Sequence, residues 1–390
     1  MNLLQWREEL RDVMPRVLET RRALHRHPEL SGREDWTQRT IMEQLTSLGL
    51  EVTTFRDCHG VMGVLHSREG RCVAIRADMD ALPVQERTGL SFASEQEGCM
   101  HACGHDAHMA LALGSAAWLA AHRDRWRGTV KYLFEPEEET IGGGQMMVAQ
   151  GCMTHSRVDV VIGQHMNPRY DAGDFFAKPG YVSGASDELR LTVRGRSCHG
   201  AYPESGVDAI VLAGQVVSAL QTLVSRTLSP FDPAVITIGT IEGGQANNIV
   251  CGEVRMRGTM RTLSDDTRRK LKNVIRRTAQ GVAGAMGGSC EVEILPGYGA
   301  VYNDDRYYAM IERAAEEILG PERIIRREAP SLGVESFCYF LQDTPGVYYD
   351  IGSGKGAALH TDTFQVDEDC LLPGVALQCA SVLALLKEDA

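Results

Sequence analysis

The stretch HACGHDAH, His101 to His108, packs three histidines, a cysteine and an aspartate into eight residues. Cys103 and His105 lie two apart with only Gly104 between them. If the backbone is irregular there, the glycine lets it bend so that a thiolate and an imidazole point at one ion. The Ala- and Leu-rich run Met109–Ala121 reads as a buried helix, with His105 and Asp106 at its N-terminus. A lone Cys-x-His is a weak signal that also fits a loop cysteine beside a capping aspartate. Its weight comes from metal-type residues at the ends of apolar runs elsewhere.

Three such runs stand out. Arg71–Asp78 (RCVAIRAD) reads as a short buried strand that leads into Asp78 and Asp80. Residues two apart on an extended segment face the same way, so both carboxylates emerge at the carboxyl end of the strand, where open α/β sheets keep their sites. Gly128–Phe134 (GTVKYLF) runs into Glu135-Pro136-Glu137-Glu138-Glu139, and Gly142-Gly143-Gly144 follow, a backbone suited to close approach. Val158–Gln164 (VDVVIGQ) is read as a strand that ends at His165. Asp78 or Asp80, Glu138 or Glu139, and His165 thus join Cys103 and His105 as a mixed N/O/S donor set. His25 and His27, in RRALHRHPELSGRED, are read as packing or supporting residues.

The elements that must position these groups follow from the patterning. Helical periodicity runs to His27, where Pro28 breaks it, and resumes over Trp36–Leu48. Strands are expected at Glu51–Phe55 and Val61–His66. From Ser183 the order changes to strand Glu188–Arg194, helix Gly206–Arg226, strands Ala234–Glu242 and Cys251–Arg261, helix Asp265–Ala285 and strand Cys290–Leu295. That order, β-α-β-β-α-β, is the ferredoxin-like unit. Helix Asp304–Leu319, strand Arg323–Arg327, helix Val334–Leu341, strand Gly346–Ile351 and helix Cys370–Leu386 then complete the α/β part. The expected architecture is α/β: a mixed-sheet domain over residues 1–183 and 299–390, interrupted by a ferredoxin-like α+β domain over 184–298.

Size and charge agree. At 390 residues the chain is too long for one ordinary core. The formal charge of −12 argues against nucleic acid and anionic membrane as partners. Eleven scattered cysteines, an odd count, read as free thiols in a reduced cytoplasmic protein. The start, MNLLQWREELRDVM, reads as an amphipathic helix rather than a signal peptide, and no membrane-spanning run is expected.

At these residues the chain resembles the co-catalytic metallopeptidase superfamily of aminoacylases, carboxypeptidase G and succinyl-diaminopimelate desuccinylase. Within it, the likeness is to the amidohydrolase branch of hippurate hydrolases, N-acetyl-diaminopimelate deacetylases and plant auxin-conjugate hydrolases. RRALHRHPEL, RADMDALP, HACGHDAH, FEPEEE with GGG, GQH, GRSCHGAYP, GGQANNIV and LHTDTF carry it, in family order along nearly the whole chain. The resemblance implies a zinc-peptidase-like catalytic domain, with the insert as a lid and dimerisation domain. It implies two divalent ions, Zn, Mn, Co or Ni, held by Cys103, His105, Glu139, His165 and His360. It implies Glu138 as general base and one of Asp78 and Asp80 as an orienting aspartate. Asn248 and Arg261 match positions that grip the substrate carboxylate, and His199 matches a histidine that crosses a dimer interface to the partner's site. The expected reaction is hydrolysis of N-acyl amino acids by a homodimer or a dimer of dimers, with a dipeptidase as the alternative. Relatives often carry Glu-Asp-Phe where this chain has Glu335-Ser336-Phe337.

Overall fold

The computed structural model describes residues 1–140 and 142–387. It divides into two compact units. The first holds Met1–Val182, Tyr302–Ala329 and the chain from Ser336 onward; the second holds Ser183–Val301 together with Pro330–Glu335. The pattern of apolar residues gives no hint that the short segment Pro330–Glu335 groups with the insert.

The first unit is built on an eight-stranded mixed sheet. Its spatial order is Glu51–Thr54, Val61–His66, Thr129–Glu135, Cys72–Asp78, Val160–Asn167, Gly346–Gly352, Phe175–Ala177, Ile324–Arg326. The middle four strands are parallel to one another, and Val61–His66 pairs antiparallel at one side. Every residue of Cys72–Asp78 is buried, as expected of a strand covered on both faces. The register aligns Asp78 with Glu135 and His165 with Asp350, so the carboxyl ends of the parallel strands finish on one edge. Helix His105–Ala121 lies against this sheet and against helices Met14–Arg26 and Leu371–Leu386. It is buried along nearly its whole length, which explains its uniformly apolar composition.

Arg76 is one of several charged groups buried in this core. In the middle of its strand, it is fully buried. Its Nε donates to Glu135 Oε2 at 2.6 Å, its Nη1 to Asp78 Oδ2 at 2.7 Å and its Nη2 to Ser336 Oγ at 2.7 Å. Glu135 Oε1 in turn accepts the Gly144 N–H at 2.7 Å. A Cβ on Gly144 would stand 2.5 Å from that same oxygen, which is why the glycine run has to follow the glutamates.

The second unit has a four-stranded antiparallel sheet in the order Ser289–Pro296, Ala185–Arg194, Glu253–Thr262, Ala234–Gly243. Helices Ala209–Arg226 and Asp265–Ala285 close its core. This is the ferredoxin-like arrangement.

Three expectations need correction. His165 is inside strand Val160–Asn167, because pairing with Gly346–Gly352 carries the strand on to Asn167. The helix expected over Val334–Leu341 is only a 3-10 segment, Ser336–Leu341: Val334 and Glu335 group with the other unit, and Ser336 is held by Arg76. Helices Ala209–Arg226 and Glu368–Leu386 are also long and apolar enough to cross a membrane by length and composition, which the sequence reading denied; each lays a buried face on its own core.

Arg76→Met tests the buried network. It leaves Asp78 and Glu135 buried without their cation, so a loss of about 3–5 kcal/mol is expected in urea unfolding. A loss under about 1 kcal/mol, the range of exposed pairs, would remove Arg76 from its central place.

Candidate metal centre

Gly104 has a φ of 87° and stands immediately before helix His105–Ala121. A Cβ in its place would lie 3.0 Å from Met166 Cβ. The left-handed turn brings Cys103 and His105 to the same site, as their spacing suggested. Cys103 Sγ is 3.3 Å from His165 Nε2.

Hydrogen bonds fix the ring orientations. His105 Nδ1 donates to the backbone carbonyl of Asp80 at 2.8 Å, and His165 Nδ1 to that of Met166 at 2.8 Å. Each Nε2 therefore keeps a lone pair, the usual arrangement for a metal-binding histidine. His105 Nε2 is buried with no hydrogen-bond partner, and so is Glu139 Oε1, 3.9 Å away. His360 Nε2 lies 3.2 Å from the same Glu139 oxygen. His360 itself has a φ of 64°, an uncommon backbone state for a non-glycine residue that nothing in LHTDTF announces.

Ligand atoms within 4.8 Å of one another form the sets Cys103–His105–His165, Cys103–Glu139–His360, His105–Glu138–Glu139 and Asp78–His105–His108. The first three draw together the five expected donors and Glu138. The last set contains His108, which the sequence reading passed over. Its Nδ1 donates to Asp78 Oδ1 at 2.6 Å and its Nε2 accepts the Met166 N–H at 2.8 Å. With both nitrogens used, it has no lone pair for an ion. Burial lowers its pKa to about 4, which keeps the ring neutral. Burial pushes the Cys103 thiol well up, so a thiolate forms there only with a cation against the sulfur. Paired orphan atoms and a thiol, three imidazoles and a carboxylate in one place suit divalent ions.

The two aspartates differ. Asp78 accepts one hydrogen bond on each oxygen, from Arg76 and from His108. Asp80 accepts the backbone N–H groups of Glu138 at 3.1 Å and Glu139 at 3.0 Å, and the Ser31 hydroxyl at 2.6 Å. Ser336 N faces Glu138 Oε1 at 3.5 Å.

Three expected site residues lie in the second unit. His199 is exposed and forms an isolated bridge with Ile249; its Nδ1 accepts the Ala201 N–H at 3.1 Å. Asn248 is exposed, and its carbonyl accepts the Gly200 N–H at 2.7 Å. GRSCHGAYP and GGQANNIV are thus neighbours in space. Arg261 Nη1 donates to Leu332 O at 2.7 Å.

Arg21, His25 and Asp106 form a buried layer that residue spacing did not reveal. Asp106 Oδ2 accepts from Arg21 Nε at 2.9 Å and from His25 Nδ1 at 2.8 Å, while His25 Nε2 lies 3.2 Å from Glu86 Oε1. Burial lowers the His25 pKa, but Asp106 and Glu86 outweigh it and raise the group to about 9. A raised folded-state value gives stability that is complete below the ordinary value of about 6.5 and is lost as pH rises through about 9. Urea unfolding of the parent and of His25→Gln at pH 6 and pH 10 checks this. The gap between them should narrow at pH 10; an equal gap at both would mean that His25 does not carry the charge.

Residues 74–384 match the family model Peptidase family M20/M25/M40. The chain is 35% identical over 377 residues to thermostable carboxypeptidase 1 of Saccharolobus solfataricus, covering 94% of this chain and 95% of that protein. It is 34% identical over 373 residues to the N-acetylcysteine deacetylase of Bacillus subtilis, covering 95% and 96%. A solved structure described as a dinuclear metal-binding peptidase of the M20 family, also from Bacillus subtilis, superposes with a TM-score of 0.84 at 29% identity, over 97% of this chain and 99% of that one. With most of its length matched by the family model and near-complete coverage by these relatives, the chain belongs to peptidase family M20/M25/M40 and is a hydrolase.

Proposed function

We propose that this chain hydrolyses the amide bond of N-acyl amino acids at a site of two divalent ions. The observation that carries the reading is the convergence of Cys103, His105, Glu139, His165 and His360, with His105 Nε2 buried without a hydrogen bond and Glu139 Oε1 between it and His360. Cys103 belongs to two of the donor sets, so it would be among the residues that hold the ions. When bound, the ions supply Lewis acidity to the scissile carbonyl and acidify a water. Glu138, next to the ligand Glu139 and not itself assigned to an ion, takes the proton of the attacking water and returns it to the leaving nitrogen. Asp80, rather than Asp78, is read as the orienting aspartate, since it holds the backbone of both glutamates. The deacetylase relative supports an acylated amino acid as substrate. The carboxypeptidase relative favours a second reading, a peptide substrate cut by the same machinery.

The inserted unit is read as lid and dimerisation domain. Its edge strand Ala234–Gly243 exposes Ile241, paired with Met256 on the helix side of the sheet, and helix Ala209–Arg226 exposes Ile210 and Val211, apolar surface suited to a second copy. Asn248 and Arg261 are assigned to the substrate carboxylate; the contact with Leu332 uses one of the five guanidinium donors of Arg261. The His199 ring accepts through Nδ1, so in its neutral form the proton sits on Nε2, ready to donate to the oxyanion in the partner's site.

Glu138→Gln should keep its metal by elemental analysis and lose about 10²–10⁴-fold in kcat on whichever of N-acetyl amino acids, N-benzoyl amino acids and dipeptides the parent cleaves. Metal lost together with activity would exchange the roles of Glu138 and Glu139.

His199→Ala should retain fold and metal but lose about 10²–10³-fold in kcat with less effect on KM. Mixed with inactive Glu138→Gln under conditions of subunit exchange, it should recover activity, since one site of a heterodimer then holds both groups. Exchange without recovery would remove His199 from the partner's site.

A further inference from the structure

Three successive backbone N–H groups in the glutamate-bearing turn end on carboxylates. Glu137 N donates to Glu34 Oε1 at 3.0 Å, Glu138 N to Asp80 Oδ1 at 3.1 Å and Glu139 N to Asp80 Oδ2 at 3.0 Å. Glu137 has a φ of 59°, a strained state for a residue with a side chain, which persists only where its surroundings hold it. Asp80 holds the second and third N–H groups, and Glu34 holds the first.

Glu34 reaches the turn from another part of the chain. It stands at the cap position of helix Asp35–Ser47, yet its side chain makes no capping bond to that helix. Glu29 takes that duty: its Oε1 accepts the Trp36 N–H at 3.0 Å and its Oε2 the Thr37 N–H at 2.8 Å. Glu34 is fully buried instead, with His59 Nδ1 3.2 Å from its other oxygen. A buried carboxylate that leaves its own helix end to a neighbour and spans to a strained turn has a purpose at that turn. Three residues earlier, Ser31 donates to Asp80 Oδ2. The segment Ser31–Glu34 thus braces both carboxylates of the clamp.

We propose that Glu34 is a positioning residue of the reaction: by capturing the Glu137 N–H it sets the turn that aims Glu138 and Glu139 at the site. This rests on the reading of Glu138 as base and Glu139 as ligand. The interaction needs an acceptor oxygen rather than a charge. Burial first, and then the negative Asp80, push the Glu34 carboxyl up to about 7, and its neutral form still accepts through the carbonyl oxygen. Glutamine offers the same oxygen.

The test compares Glu34→Ala with Glu34→Gln in the full-length, metal-loaded protein. In Glu34→Ala, amide hydrogen exchange over residues 135–140 should quicken, and kcat should fall by about 10²-fold, the usual cost of a small misplacement of reacting groups, with KM little changed. Glu34→Gln should return both towards the parent. Should the alanine variant not fold, Glu34→Met, which fills the volume without an acceptor, takes its place with the same expectations. Parent-like exchange and kcat without the acceptor would overturn the proposal, as would a glutamine variant as impaired as the alanine one. Exchange needs no substrate. A parent that cleaves no N-acyl amino acid would therefore end the functional reading while the exchange comparison still decides the clamp.

Discussion

Asp80 ties together most of what converges on the site. Its side chain accepts the N–H groups of Glu138 and Glu139 and the Ser31 hydroxyl, while its carbonyl accepts from His105 Nδ1. The constraint behind this is negative charge. Asp78, Asp80 and Glu135 are buried at the carboxyl edge of the parallel strands, beside the half-buried Glu139 and the buried Cys103. Such a concentration survives in a dry interior only if each oxygen has a donor. Arg76 supplies the lower layer, between Asp78 and Glu135, and backbone N–H groups supply the next, on Asp80 and Glu135. Glu139 Oε1 and His105 Nε2 are left over on the upper side. The compensation runs in order from the core outward, and the proposed ions complete it.

The same arithmetic governs the start of helix His105–Ala121. Asp106 lies in its first turn, where a carboxylate is favoured by the exposed N–H groups of the helix end. It is fully buried, so helix polarity alone cannot hold its charge, and Arg21 and His25 from helix Met14–Arg26 are brought in against it. Arg21 Nη1 continues to Glu368 at 3.2 Å, just before the last helix. Helix packing in this unit is therefore coupled to the placement of His105. Loosening helix Met14–Arg26 would uncover Asp106, one residue from a proposed ligand.

The strands that carry site residues were legible because each is an apolar run that stops at acids or a histidine. The antiparallel unit was legible because its alternation and helix periods are regular. What the residues concealed has common physical causes. His165 was placed after its strand because a sequence shows where hydrophobicity ends, whereas hydrogen bonding to Gly346–Gly352 decides where the strand ends. Strands Phe175–Ala177, Gly180–Ser183 and Val301–Asn303 are too short to show a period. The 3-10 segment at Ser336 was read as a full helix because its dependence on Arg76 is a contact across 260 positions. Arg76 has one visible signal, a cation inside an apolar strand, which a buried pair of acids satisfies here, whereas the buried Lys131 of the next strand donates to backbone carbonyls. The five proposed donors rest on resemblance; residue types alone do not tell Asp78 from Asp80, since what separates them is which donors reach each oxygen.

Neighbouring glutamates can hold different roles only if the backbone separates them. In an extended strand Glu137 and Glu139 would point one way and Glu138 the other. In the observed turn the three go to three places. Glu137 Oε2 is the nearest atom to a Cβ built on Gly32, Glu138 Oε1 faces the Ser336 N–H, and Glu139 Oε1 lies between His105 and His360. The positive φ at Glu137 breaks the alternation, and the capture of three successive N–H groups holds it broken. The distinction between the proposed base and the proposed ligand would thus be made in the main chain. Side-chain chemistry is identical at the two positions, and the difference comes from a turn whose geometry is set by carboxylates nearly sixty and about a hundred positions away in sequence.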